Sequence, residues 1–143
     1  MEIFIFSPAL LYNFITMIYN YQAVYFGDDV LNIQIYGKAK CFDTKKAERY
    51  FKERRIKYQF VDLVKFGMSK GEFNNILKAV GDFDELLDKS SKAYENSFIE
   101  YLATKEAKEE KLLENQSAFK TPIVRNGKQV TVGYKPEIWK DWE

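Results

Sequence analysis

The chain has 143 residues and a mass of 16.9 kDa, and 46% of it is hydrophobic, with 12 Phe, 10 Tyr and 2 Trp, so one domain with a sizeable core is expected and a multi-domain architecture is excluded. Lys plus Arg (22) nearly balance Asp plus Glu (21), a net charge of +1, so no global charge recruits nucleic acid or an anionic membrane. The single cysteine, Cys41, excludes a disulfide-built secreted module and fits a reducing cytoplasm, while the lack of His removes His-based metal sites and Ser-His or Cys-His nucleophile pairs. The thiol is the strong nucleophile that remains.

The charge is unevenly placed. Residues 1–31 contain Glu2, Asp28 and Asp29 and no Lys or Arg, which leaves residues 32–143 at +4. Ile3 to Phe26 is uncharged and holds eight aromatics. Its length meets the requirement for a membrane span, but Ser7, Pro8, Asn13, Thr16, Asn20 and Gln22 interrupt it and its tyrosines suit an interface more than a bilayer centre. Neither a basic n-region nor a small-x-small cleavage site marks a secretory signal. Residues 1–30 are therefore read as a hydrophobic extension, either not native or a weak anchor, preceding a domain at 31–143.

From residue 31 the pattern is regular. LNIQIY (31–36) alternates apolar and polar residues and reads as a strand ended by Gly37. DTKKAERYFKER (43–54) places Ala47, Tyr50, Phe51 and Arg54 at helical spacing, with Asp43 or Thr44 as cap. KYQFVDL (57–63) is a second strand, making a strand-helix-strand unit whose strands should be parallel. Ser69 caps a helix over GEFNNILKAV, Glu72 completes a capping-box pattern and Gly81 stops it. Residues 82–87 make one further turn. Asn96 or Ser97 opens a charged helical run to about residue 116, broken near Thr104, with Phe98, Tyr101, Leu102, Leu112 and Leu113 as its apolar face. TPIVRNGKQVTV (121–132) flanks Asn126-Gly127, the dipeptide of a type I′ hairpin, and Pro136 starts a short helix carrying Trp139.

This order, β-α-β, helices, β-β, α, is that of an α/β thioredoxin-like fold: a central mixed sheet flanked by helices, with a helical insertion between the βαβ unit and the C-terminal ββα unit. Tyr36-Gly37, Cys41-Phe-Asp-Thr-Lys-Lys-Ala47, Tyr58 to Asp62, Thr121-Pro-Ile-Val-Arg-Asn-Gly127 and Val132-Gly-Tyr-Lys-Pro136 together resemble the arsenate reductase (ArsC) family, which includes the Spx-type regulators. The resemblance implies a chain that starts at the first strand, so Leu31 stands where an initiating residue is expected, and it implies a cis-proline at Pro122.

A cysteine just ahead of a helix feels the positive end of the macrodipole, and Lys38, Lys40, Lys45 and Lys46 crowd the same loop and first turn, so both effects favour a Cys41 thiolate. A CxxC partner would stand at Thr44, which cannot resolve a mixed disulfide, so an outside thiol is needed. The resemblance implies reductase chemistry with glutathione as co-substrate and glutathione or a glutaredoxin as partner, with no cofactor bound. The His that the family carries after the first strand's Tyr falls on Gly37. Its oxyanion-holding arginines fall on Asp88, Thr121 and Lys135, so arsenate itself is not the expected substrate. The expected site is Cys41 as nucleophile with Lys40, Thr44, Lys45, Thr121 and Lys135 as substrate or anion ligands, and no metal. The alternative is a non-catalytic Spx-like regulator that binds RNA polymerase, with neither direct nucleic-acid contact nor membrane association.

Overall fold

The computed structural model describes residues 31–142, so the uncharged stretch at 3–26 and the boundary at residue 30 lie outside the described residues. The described residues form strands β1 (Ile33–Gly37), β2 (Tyr58–Asp62), β3 (Ile123–Asn126) and β4 (Gln129–Val132), and α-helices α1 (Phe42–Glu53), α2 (Lys70–Val80), α3 (Lys92–Ser97), α4 (Lys105–Glu114) and α5 (Pro136–Trp139), joined in places by short 3-10 turns. The sheet order is β2-β1-β3-β4. β1 runs parallel to β2, with Ile35 opposite Phe60, and antiparallel to β3, with Ile35 opposite Val124; β3 and β4 close an antiparallel hairpin. This is the mixed sheet of the thioredoxin-like fold, with α2, α3 and α4 placed in sequence between its two halves.

Because side chains alternate across a strand, each central strand feeds both faces of the sheet. Ile33 and Ile35 of β1 and Val124 of β3 pack with Ala47, Tyr50 and Phe51 of α1 and Trp139 of α5. Tyr36 and Ile123, one position out of phase, join Phe73 and Ile76 of α2, Ile99, Leu112 and Phe119 on the opposite face. Trp139 is fully buried, and its indole N–H donates to Thr131 Oγ1 at 2.7 Å, so its one polar atom is satisfied.

Local signals placed most elements. Ser69 caps α2 by accepting from the Glu72 N–H, and Gly81 ends it in the left-handed region at φ 82°. Three expectations need correction. The charged run does not open at residue 96 or 97: α3 ends there, after starting at Ser91, whose hydroxyl accepts from the Tyr94 N–H. Phe98 then takes φ 56°, which breaks the helix and turns Ile99 inward, leaving Phe98 and Tyr101 exposed at 63% and 78% rather than on a buried face. In the hairpin, Asn126 pairs with Gln129, so the loop residues are Gly127 and Lys128. Among the described residues near the turn only Gly127 has positive φ, 60°, whereas type I′ needs it at both loop positions.

Candidate functional site

The end of β1 and the start of α1 set the position of the thiol. Gly37 is buried, and its carbonyl accepts from Leu63 N–H at 2.9 Å, which ties the end of β1 to the end of β2. The chain then turns, with Cys41 N–H donating to the Lys38 carbonyl at 3.0 Å, and enters α1. The cap is Cys41 itself rather than Asp43 or Thr44, with extended backbone angles of −85° and 121° and no side-chain capping bond. A thiol is a weak acceptor and gives little to a helix cap, so the sulfur stays available for other chemistry. Asp43 instead adds its negative charge to the first turn, where the macrodipole favours it.

The half-buried sulfur stands 3.7 Å from the Thr121 carbonyl oxygen, to which the neutral S–H can donate. That long contact favours the thiol. Ionisation exchanges it for better partners: burial pushes the Cys41 pKa up, but hydrogen bonds from the Thr121 and Thr44 side chains and from the Thr44 and Asp43 backbone N–H groups outweigh burial and bring it below the ordinary value. Thr44 is fully buried, and its Oγ1 has no hydrogen-bond partner of good geometry among the described residues. An orphaned buried hydroxyl costs about 1–3 kcal/mol, and beside Cys41 it is a donor waiting for a negative charge.

Pro122 follows Thr121, and the Thr121–Pro122 peptide bond is cis. The Pro122 carbonyl accepts from Gly133 N–H at 2.8 Å, which seats this turn against the strand that leaves the hairpin. The structure thus brings Cys41, Thr44, Thr121 and Pro122 together. The remaining candidates lie on the surface. Lys40 and Lys45 are exposed, and Lys45 serves locally, its N–H closing the first turn on the Cys41 carbonyl at 3.2 Å. Lys135 is exposed and uses its carbonyl to receive the Ile138 and Trp139 N–H groups at the start of α5.

Lys38, not among the expected ligands, is the lysine built into the site. Its side chain is half-buried and Nζ donates to the Ser117 carbonyl at 2.5 Å. Burial pulls its pKa down, while the charges of Asp88 and Cys41 act in the opposite direction. The signal for it in the sequence was its place three residues before Cys41. Its partner Ser117, 79 residues away, has no local pattern that would announce it.

The depressions described on the surface are not lined by Cys41, Thr44, Thr121 or Pro122. One of about 480 Å³ is lined by Leu63 to Gly67 and Glu114 to Ser117, and another of about 610 Å³ lies along α1 between Lys45, Glu48, Lys52 and Tyr58. No helix among the described residues is long and apolar enough to cross a membrane.

A sequence model of the ArsC family matches residues 36–142. The Global transcriptional regulator Spx 2 of Oceanobacillus iheyensis is 30% identical over 131 residues, covering 79% of this chain and 94% of that protein. Among solved structures, an ArsC family related protein from Bacteroides fragilis superposes with a TM-score of 0.70 at 21% identity, covering 80% of this chain and 99% of the other. An arsenate reductase from Vibrio cholerae does so with a TM-score of 0.70 at 16% identity over the same shares. These two likenesses speak for the fold.

Proposed function

The chain belongs to the ArsC family, and we propose that within it this protein is a thiol-dependent oxidoreductase whose nucleophile is Cys41, acting on glutathione mixed disulfides in the cytoplasm. The observation that carries this reading is the place of Cys41 at the N-terminus of α1, with its sulfur 3.7 Å from the carbonyl oxygen of Thr121 ahead of the cis-proline; there the Thr121 and Thr44 side chains and the Thr44 and Asp43 N–H groups bring its pKa below the ordinary value against the effect of burial. A thiolate is the attacking species in disulfide exchange, and one whose pKa lies nearer to ambient pH is present in larger amount without losing much intrinsic nucleophilicity.

The chemistry proceeds in two exchanges. The Cys41 thiolate attacks the glutathione sulfur of a mixed disulfide R–S–S–G; a bond from Cys41 to that sulfur forms, the bond to R–S breaks, and the electron pair leaves on R–S⁻, which is protonated to R–SH. Because Thr44 occupies the position of a resolving cysteine, the second thiolate comes from another glutathione or from a glutaredoxin. It attacks the glutathione sulfur of the adduct, forms glutathione disulfide when glutathione is the attacker, and returns Cys41 as the thiolate. The sum is R–S–S–G plus glutathione giving R–SH plus glutathione disulfide. Glutathione is thus a co-substrate.

Arsenate is a poor fit to this site. Asp88 and Lys135 stand where the resemblance places guanidinium groups, and neither offers the planar fork that binds an oxyanion in bidentate fashion. Turnover of arsenate, a glutathione mixed disulfide and an S-nitrosothiol by the wild type and by Cys41→Ser tests the proposal. Mixed-disulfide turnover that vanishes in a folded Cys41→Ser protein is expected, and equal turnover by the two proteins would refute it.

A second reading, a regulator of Spx type that binds RNA polymerase, is favoured by the 30% identity to the Oceanobacillus iheyensis regulator. Capture of purified RNA polymerase by the tagged protein, undiminished in Cys41→Ser, would establish it.

A further inference from the structure

The positive charge of the thiol site comes from an unexpected direction. Lys38 and Cys41 are the two ends of one turn, closed by the Cys41 N–H on the Lys38 carbonyl at 3.0 Å. From that turn the Lys38 side chain runs to the segment that also carries Thr121, and Nζ reaches the Ser117 carbonyl at 2.5 Å. The same segment holds Asp88 in place. Asp88 N–H donates to the carbonyl of Ala118 at 2.9 Å, Leu87 and Phe119 form an antiparallel bridge, and Lys120 N–H donates to Leu86 at 2.7 Å. The ammonium and the Asp88 backbone therefore meet at the consecutive carbonyls of Ser117 and Ala118. Ser90 Oγ fixes the carboxylate by donating to its Oδ1 at 2.8 Å.

We propose that Lys38, anchored by the Ser117 carbonyl one residue from the carbonyl that receives the Asp88 N–H, is the cation that holds the negative charge on sulfur while Cys41 exchanges, and that Asp88 closes the same site to oxyanions. This rests on the oxidoreductase reading and adds to it the group that compensates for the missing arginines and the class of substrate admitted: a disulfide with no anionic group at the reacting sulfur. An ammonium has three donors, of which the Ser117 carbonyl takes one, so hydrogen-bonding capacity is left for a thiolate. In disulfide exchange one negative charge passes from the attacking to the leaving sulfur, and a fixed cation beside that path stabilises both ends of the transfer. An oxyanion brings additional negative charge, which one lysine countered by Asp88 does not balance.

Other charged groups lie on the segments that carry Cys41, Asp88 and Thr121, and the test has to separate them. Lys40 lies on the same turn, Asp43 and Lys45 on the first turn of α1, Lys89 beside Asp88, and Lys120 beside Thr121; Lys40, Asp43, Lys45, Lys89 and Lys120 are all exposed. Water screens them, whereas half-buried Lys38 acts through a lower dielectric.

The experiment is the pH dependence of Cys41 alkylation by iodoacetamide in Lys38→Met, Lys38→Arg, Lys40→Met and the wild type, each verified as folded by its thermal transition. Lys38→Met is expected to move the midpoint up by about one pH unit, with Lys38→Arg close to wild type and Lys40→Met within a few tenths of a unit. A midpoint unchanged in Lys38→Met, or moved equally by Lys40→Met, would overturn the inference. Arsenate at millimolar concentration should leave wild-type alkylation unaffected and slow it at least fivefold in Asp88→Arg; protection of the wild type would overturn the role given to Asp88. These readouts need no turnover, so the inference can fail while the oxidoreductase stands. Loss of mixed-disulfide turnover as a wild-type property would remove the reading beneath it.

Discussion

Gly37 and Thr44 compete for one space: a Cβ built on Gly37 would stand 2.8 Å from Thr44 Oγ1, closer than real Cβ contacts come. The absence of a side chain at the end of β1 is what makes room for the buried Thr44 side chain, its methyl and its hydroxyl alike. Gly37→Ala should therefore cost about 1–3 kcal/mol of stability in denaturant unfolding, since overpacking in a closed site forces strain. Gly37→Ala combined with Thr44→Ala should recover most of that loss. Equal losses in the single and double variants would show that the two residues are not coupled.

Thr44→Val keeps the volume and removes the donor. It should raise the pH midpoint of Cys41 alkylation, because a hydrogen bond to the thiolate is lost while the helix terminus remains. It should also raise stability in denaturant unfolding by about 1–3 kcal/mol, since the buried Oγ1 it removes has no partner of good geometry among the described residues. A large loss of stability with no change in the alkylation profile would assign Thr44 a purely structural role.

Tyr36 gives the domain a limit at alkaline pH. Its hydroxyl donates to Glu72 Oε2 at 2.7 Å, and burial, then that hydrogen bond and the Glu72 charge, push its pKa from 10.0 to about 12. A raised pKa in the folded state means that the neutral phenol is favoured there. The stabilisation is complete below pH 10 and declines as pH rises through 12, by about 2–3 kcal/mol in all. Tyr36→Phe should be less stable than wild type at pH 8 and should lose this alkaline decline in unfolding measured between pH 9 and 12.

Phe98 holds φ 56° with its ring largely in solvent, a conformation that disfavours a bulky L residue by about 1–2 kcal/mol. Phe98→Gly should raise stability by about 1 kcal/mol, and Phe98→Ala should not, because alanine keeps the Cβ that opposes the left-handed region. Thermal unfolding of the two variants measures the difference. A stability gain in the alanine variant would mean that the exposed ring, and not the backbone angle, is the unfavourable feature.

The legibility of this chain follows the range of the interactions. The two strand alternations, the Ser69 cap, the Gly81 stop and the proline that opens α5 are local signals, and each stands within a residue or two of where it was expected. The break at Phe98 was not legible, because nothing in the sequence marks a phenylalanine as left-handed, and the packing of Ile99 decides it. The hairpin loop moved one residue because the register of β3 against β1 and β4 fixes the pairing, not the Asn-Gly dipeptide. At the site, Cys41 could be read from its place before a helix. Lys38 could not be told from Lys40 and Lys45, since what separates them is a carbonyl supplied from Ser117.

The most direct test of the central claim is the pH at which Cys41 of the wild-type protein becomes half-reactive toward iodoacetamide, with Cys41→Ser as the blank. Cys41 as an activated nucleophile predicts a midpoint below that of an unperturbed cysteine, about 8.5. A midpoint at or above that value would contradict it, and would leave Cys41 as a half-buried thiol with no chemistry of its own.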